Sequence, residues 1–133
     1  MKQTTNHILL REDDYETLIN YLKNGRYSIN ADANNKRDLQ AEIKKATRVS
    51  KELFPNDVVR LNSKIKIRDV NKNNVMEIVL VMPDEADIKQ KKISVMAPVG
   101  TALIGFKKGE NVNWHVPAGE RTFAILDVIN PVE

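Results

Sequence analysis

The chain has 133 residues, of which 41% are hydrophobic, 29% charged and 5% aromatic, and it contains no cysteine. This length favours one domain core with at most a small appendage, which excludes a many-domain enzyme. The lack of cysteine excludes disulfide scaffolds, Cys-ligated zinc, iron–sulfur clusters and thiol nucleophiles, and it is typical of a reducing compartment. We therefore predict a cytoplasmic protein.

The charged residues, 21 basic and 18 acidic for a formal net charge of +3, predict a surface of mixed sign. Proteins that bind the phosphate backbone of nucleic acids carry a larger excess of basic residues, so we predict that direct nucleic-acid binding is weak or lacking. The longest apolar run covers residues 78–82, whereas about 20 apolar residues are needed to span a bilayer. We predict no membrane partner.

The first predicted element is an amphipathic helix over about residues 12–23. Its apolar face follows the spacing i, i+3, i+4 and i+7, with Tyr15, Leu18, Ile19 and Leu22. Acidic residues occupy positions 12, 13, 14 and 16, where the positive end of the helix dipole favours them. We interpret them as a solvated helix start and not as a metal cluster.

A second helix is predicted from a heptad-like apolar stripe that consists of Leu39, Ile43, Ala46 and Leu53. Neither helix is large enough to bury its own stripe, so the two are predicted to pack as a short antiparallel coiled coil. At 1.5 Å per residue its arms would be about 18–25 Å long. The connecting segment, residues 25–34, forms the predicted tip and contains Arg26 and Asp32.

After Pro55 the hydrophobic period changes to two, which is typical of strands. Four strands are predicted, over residues 64–68, 75–82, 111–116 and 121–129. The short polar turns between them predict antiparallel pairing.

Residues 98–105 begin with proline and end with glycine, as a short helix does. The predicted fold class is α+β, with a helical hairpin over residues 1–54 and an antiparallel sheet with one short helix over residues 55–133.

The sequence contains no motif of an enzyme. The five glycines never fall in a phosphate-binding pattern, and the two histidines are too few and too far apart for a zinc site. No serine has the context of a nucleophile elbow. We predict no catalytic residue, no metal site, no cofactor and no small-molecule substrate.

The segment before the predicted short helix is apolar, whereas loops are normally polar and exposed. It reads Met96, Ala97, Pro98 and Val99. Two interpretations stay open: Met96 packs in the core, or the turn is an exposed apolar tip that binds a protein partner.

Several motifs of the second half occur together: Pro-Asp-Glu-Ala-Asp-Ile-Lys at 83–89, Ile-Ser-Val at 93–95, Ala-Leu-Ile-Gly at 102–105 and Pro-Ala-Gly-Glu at 117–120. They closely resemble the C-terminal domain of the Gre transcript-cleavage factors of bacterial RNA polymerase, over about residues 54–129. The string Ser-Val-Met-Ala-Pro-Val-Gly at 94–100 resembles the Rnk type, the regulators of nucleoside diphosphate kinase, which share this architecture with a shortened helical finger.

The resemblance implies an FKBP-like C-terminal domain that docks on the polymerase at the entrance of its secondary channel. The contact would be made by the turn before the short helix, here Met96, Ala97, Pro98 and Val99. In the cleavage factors a longer coiled coil carries an Asp-x-x-Glu pair at its tip and helps to hold magnesium in the polymerase active site. The tip here offers Asp32 with no second carboxylate three residues away.

We therefore predict a non-catalytic transcription regulator that binds RNA polymerase and competes with longer channel-binding factors. A genuine transcript-cleavage factor is the first alternative. The second is an FKBP-like prolyl isomerase, which only the implied fold suggests, and a fold alone does not establish a function.

Overall fold

The computed structural model describes residues 8–24, 33–116 and 119–131. The predicted tip residues Arg26 and Asp32 lie outside these ranges. In chain order the elements are β1 (Leu9–Arg11), α1 (Glu12–Asn24), α2 (Ala33–Lys45), β2 (Thr47–Val49), β3 (Lys64–Asp69), β4 (Asn74–Val81), two 3-10 turns (Pro83–Glu85 and Ile88–Gln90), β5 (Lys92–Ser94), α3 (Pro98–Leu103), β6 (Asn111–Val116) and β7 (Gly119–Ile129). The α+β class is confirmed.

Two short strands, which the sequence pattern does not predict, flank the two long helices. β1 and β2 pair in parallel, with Leu9 opposite Thr47. Parallel neighbours need a long crossover connection, and α1 and α2 lie within that connection. Leu9 N–H donates a hydrogen bond of 3.1 Å to Gly105 O, which attaches the pair to the second half of the chain.

Glycine is required at position 105 for two reasons. Its φ of +87° lies in the region that other residues rarely adopt, and a Cβ there would lie only 2.6 Å from the Cβ of Ile8. The backbone that follows α3 can therefore approach β1 closely.

The second helix is shorter than the heptad pattern predicts. Leu39 and Ile43 are buried as expected, but α2 ends at Lys45, and Leu53 is 77% exposed in a turn beyond β2. The prediction that Leu53 continues the apolar stripe is wrong, because a seven-residue spacing places residues on one face only while the helix continues.

The helices and the sheet share one hydrophobic core. Leu18 and Leu22 of α1 and Leu39 and Ile43 of α2 belong to the same buried cluster as the inward-facing residues of the sheet. α1 and α2 contact each other, and α2 also contacts α3. The antiparallel coiled-coil arrangement of the two helices stays a prediction.

The second half of the chain forms a five-stranded sheet in the order β5-β4-β3-β7-β6. β3 pairs antiparallel with β4 and β7, and β6 pairs antiparallel with β7. β5 pairs with β4 in parallel, so the prediction of an entirely antiparallel sheet is wrong at this edge. The connection between β4 and β5 is not a tight turn but residues 82–91, which contain both 3-10 turns and bring the chain back in the same direction.

The predicted short helix is present as α3, which buries Gly100, Thr101 and Leu103. It packs against α2, β5 and β6. Among the described helices, none has both the length and the apolar composition to cross a membrane.

Candidate protein-docking site

The apolar turn that the sequence singles out connects β5 to α3 at one edge of the sheet. We call residues 95–99 the 95–99 loop. Val95 N–H donates to Val81 O at 2.8 Å, and the Thr101 hydroxyl donates to Val95 O at 2.8 Å. These two bonds fix the start of the loop to β4, which lies beside β5 in the sheet, and to α3, which follows the loop.

Further hydrogen bonds fix the backbone within the loop. Ser94 Oγ accepts from Met96 N–H at 2.9 Å, and Ser94 O accepts from Ala97 N–H at 3.0 Å. Ala97 O accepts from Thr101 N–H at 2.9 Å, which begins α3. A loop bonded in this way has a defined shape before any partner binds.

The structure places the four predicted contact residues in different environments. Met96 is only 4% exposed and belongs to the core, so the prediction that its side chain is part of an exposed contact is wrong. Burial of a methionine side chain contributes about 1.5–3 kcal/mol, which explains why it turns inward. Pro98 is exposed, and Ala97 and Val99 are half-buried beside it.

Proline suits the exposed position because Pro98 is the first residue of α3. A backbone N–H at that position has no partner within the helix, so its absence costs no hydrogen bond. The accessible apolar surface of the site therefore consists of Ala97, Pro98 and Val99.

The acidic start of α1 does more than interact with the helix dipole. Asp14 is buried and forms two hydrogen bonds with Arg60, from Nε to Oδ2 at 2.9 Å and from Nη2 to Oδ1 at 3.0 Å. Its interpretation as a solvated residue is wrong. The sequence offered one signal: Asp14 lies four residues before Leu18 and hence on the buried face of the helix.

A second polar network joins the end of the chain to the segment before β3. Ser63 Oγ accepts from Arg60 N–H at 2.7 Å and is also hydrogen-bonded to Asn130 Oδ1. The Asn130 side-chain amide donates to Asn56 O at 3.0 Å and to Val58 O at 3.1 Å. Arg60 thus connects α1 to the network that holds residues 56–63 in place.

Two carboxyl groups have a lowered pKa because arginine side chains hydrogen-bond to them. Arg11 lowers the pKa of Asp13 from 3.8 to about 2, and Arg121 lowers the pKa of Asp69. Within residues 8–24, 33–116 and 119–131, no group of three or more histidine, aspartate or glutamate side chains could hold a metal ion.

We expect acid to destabilise the protein between about pH 4 and pH 2. A carboxyl whose pKa is lower in the folded state contributes stability above its unfolded pKa, and that contribution is lost as the pH falls through the folded value, here about 2 for Asp13. Asp13→Asn should remove part of this decline, and only a small part because the side chain is 56% exposed. Melting temperatures at pH 2–6 and constant ionic strength provide the measurement; an identical decline in both proteins would contradict it.

Comparisons with known proteins give the class of the molecule. Residues 54–130 match the family model for the C-terminal domain of the GreA/GreB transcription elongation factors, which is more than half of the chain. The chain therefore belongs to the GreA/GreB family, and the resemblance seen in its motifs is confirmed.

Two curated relatives illustrate the range of the family. The regulator of nucleoside diphosphate kinase of Escherichia coli K12 is 39% identical over 84 residues, which is 63% of this chain and 62% of the relative. Transcription elongation factor GreA of Prosthecochloris aestuarii is 38% identical over 93 residues, 68% of this chain and 58% of the relative. The chain matches about three fifths of the length of these relatives.

Solved structures extend the likeness to nearly the whole chain. A GreA/GreB transcription elongation factor from Nitrosomonas europaea superposes with a TM-score of 0.73 and 31% identity, over 95% of this chain and all of the other. Gfh1 of Thermus aquaticus has a TM-score of 0.51 at 18% identity, over 93% of this chain and 99% of its own, and shows a shared fold alone.

Proposed function

We propose that this chain is a transcription regulator that binds bacterial RNA polymerase at the entrance of the secondary channel. The single observation that carries the proposal is the exposed Pro98 on a loop that is hydrogen-bonded at both ends. This is the loop through which the Gre resemblance implies a polymerase contact.

The contact residues in this proposal are Ala97, Pro98 and Val99. Met96 supports them from the core and does not touch the partner. Because the loop has its shape before binding, little conformational entropy is lost in the complex, which favours affinity from a small apolar surface.

We also propose a functional division near residue 55. Within residues 1–54, α1 and α2 pack as an antiparallel coiled-coil finger, and residues 55–133 form the FKBP-like docking unit. The hydrogen bond from Leu9 to Gly105 and the contact of α2 with α3 support a fixed direction of the finger relative to the 95–99 loop.

The finger occupies the channel entrance in this proposal and does not stimulate transcript cleavage. α1 and α2 have 13 residues each, which corresponds to about 20 Å of helix. Such a finger is short compared with that of the cleavage factors, and Asp32 has no second carboxylate three residues away in the sequence. The regulator would then act in the cytoplasm by competition with longer channel-binding factors.

Pro98→Asp tests the docking contact. Aspartate is well tolerated in the first turn of a helix, so the variant should fold, but its charge would enter an apolar contact. We expect the affinity for core RNA polymerase, measured by biolayer interferometry, to fall at least about tenfold, which equals 1.4 kcal/mol.

Pro131→Asp is a matched control, because Pro131 is also an exposed proline but lies after β7. It should bind like the wild type. Equal affinities of wild type and Pro98→Asp would overturn the docking contact, and a wild type that does not bind polymerase would overturn the proposed function.

An assay on stalled, backtracked transcription complexes separates the regulator from the cleavage factor. We expect no release of short RNA by this chain, and less release by a cleavage factor when this chain is added. Release of short RNA that Asp32→Ala abolishes would establish the alternative.

A further inference from the structure

Ile88 is the most exposed large hydrophobic residue among the described residues, with 82% of its surface accessible. It lies in the second 3-10 turn, between β4 and β5. Exposure of single apolar residues is common, so the exposure alone says little. The hydrogen-bonded turn that holds the backbone of Ile88 is more informative.

The turn is closed by a set of hydrogen bonds, and we call residues 87–92 the 87–92 turn. Asp87 and Lys92 exchange two backbone hydrogen bonds of 2.9 Å, and Gln90 N–H donates to Asp87 O at 3.0 Å. The Asp87 carboxylate accepts from Lys89 N–H at 3.1 Å. Ile88 is therefore presented to solvent by an ordered backbone.

The turn also contains a backbone conformation that costs free energy. Lys91 has a φ of +61°, in the left-handed region that residues other than glycine and asparagine rarely adopt. Its N–H donates to Ile88 O at 3.0 Å, so this conformation completes the turn around Ile88.

Ile88 and Pro98 lie at opposite ends of the same edge strand. β5 is three residues long, or about 10 Å, and pairs with β4 on one side only. The 87–92 turn precedes it, and the 95–99 loop follows it. One partner that contacts both ends would cover the open edge of β5.

The charges along this edge are distributed unevenly: basic residues outnumber the single carboxylate of the 87–92 turn, Asp87, which accepts from Lys89 N–H, and acidic residues lie at the other end of β5. Lys89 and Lys91 are exposed beside Ile88, whereas the first 3-10 turn, with the exposed Asp84 and Glu85, follows Val81 and lies at the Ser94 end of β5. A partner with complementary charge would present carboxylates around Ile88 and basic groups near Pro98.

We propose that the 87–92 turn is a second contact of this chain with the polymerase, in which Ile88 enters an apolar recess bordered by acidic residues. This inference rests on the proposed function and extends its docking surface from Pro98 along β5 to Ile88. Charge complementarity of this kind sets orientation and association rate more than total affinity.

The test compares Ile88→Ser with Leu53→Ser, which removes another strongly exposed apolar side chain. Both variants should melt like the wild type, since neither side chain is packed. We expect Ile88→Ser to weaken binding to core polymerase five- to tenfold and Leu53→Ser to leave it unchanged. Lys89→Glu with Lys91→Glu should slow association, and more so at low salt than at high salt.

The outcomes distinguish this inference from the proposed function. If Pro98→Asp weakens binding and Ile88→Ser does not, the inference is wrong and the proposed function stands. If the wild type does not bind polymerase, both the proposed function and this inference are wrong. A dimer of the free chain that Ile88→Ser dissociates in sedimentation would also overturn the inference, because the occupant would be a second copy.

Discussion

Replacement of Asp14 by alanine should lower the free energy of unfolding by about 3–5 kcal/mol, the usual loss when one partner of a buried ion pair is removed. The variant removes the Asp14 carboxylate from Arg60, a residue that is only 7% exposed. The backbone N–H of Leu61 would lose the same carboxylate, at 3.4 Å. Urea unfolding followed by circular dichroism measures the change.

Two further variants define the cause of this loss. Glu16→Ala alters an exposed carboxylate of the same helix and should change stability by no more than about 0.5 kcal/mol. Asp14→Ala combined with Arg60→Met removes both charges and should recover part of the loss. A loss below about 1 kcal/mol for Asp14→Ala alone would mean that the pair does not hold α1 to the segment before β3.

Gly100→Ala should destabilise the protein by about 1–3 kcal/mol, the range for overpacking of a close-packed site. Helix propensity alone predicts the opposite sign, a gain of up to about 1 kcal/mol. The added Cβ would lie 2.2 Å from Ser94 O and 3.0 Å from Leu80 Cδ1. Because the backbone carbonyl of Ser94 cannot move without disturbing the 95–99 loop, we also expect weaker binding to polymerase.

Ala102→Ser is the control for this variant, because it changes a half-buried residue of the same short helix and costs only a difference in propensity of about 0.5 kcal/mol. Thermal and urea unfolding of the wild type, Gly100→Ala and Ala102→Ser measure the change in stability, and polymerase affinity is measured in parallel. A Gly100→Ala protein that is more stable than the wild type would show that the contact with Ser94 O relaxes freely.

The elements with strong periodicity could be predicted from the sequence. α1, β3 and β6 begin and end within one residue of the predicted bounds. α3 also begins where proline indicates, although it ends two residues earlier. In each case a pattern within the element determines the structure.

Elements that depend on distant partners could not be predicted. β1 and β2 are three residues each and exist because Leu9 lies opposite Thr47, far away in the sequence. The parallel direction of β5 depends on how residues 82–91 turn. Such pairings have no local periodicity.

The candidate site was predictable only to the level of a segment. The motifs indicated residues 96–99, but a run of apolar residues does not reveal which side chain points inward, and Met96 is in the core. The position of Asp14 on the buried face of α1 can be predicted from its spacing to Leu18, but its partner cannot, because Arg60 lies 46 positions away.

The parallel pair of β1 and β2 has a consequence for how finger length can vary. Both ends of the helical segment are anchored in neighbouring strands, about 4.8 Å apart, and β1 is hydrogen-bonded to Gly105. Extra helical turns inserted between α1 and α2 would leave the paired strands β1 and β2 unchanged. The entropic cost of closing a longer connection between them increases only slowly with its length. The helical finger can thus become longer or shorter without any change in the surface that binds the partner.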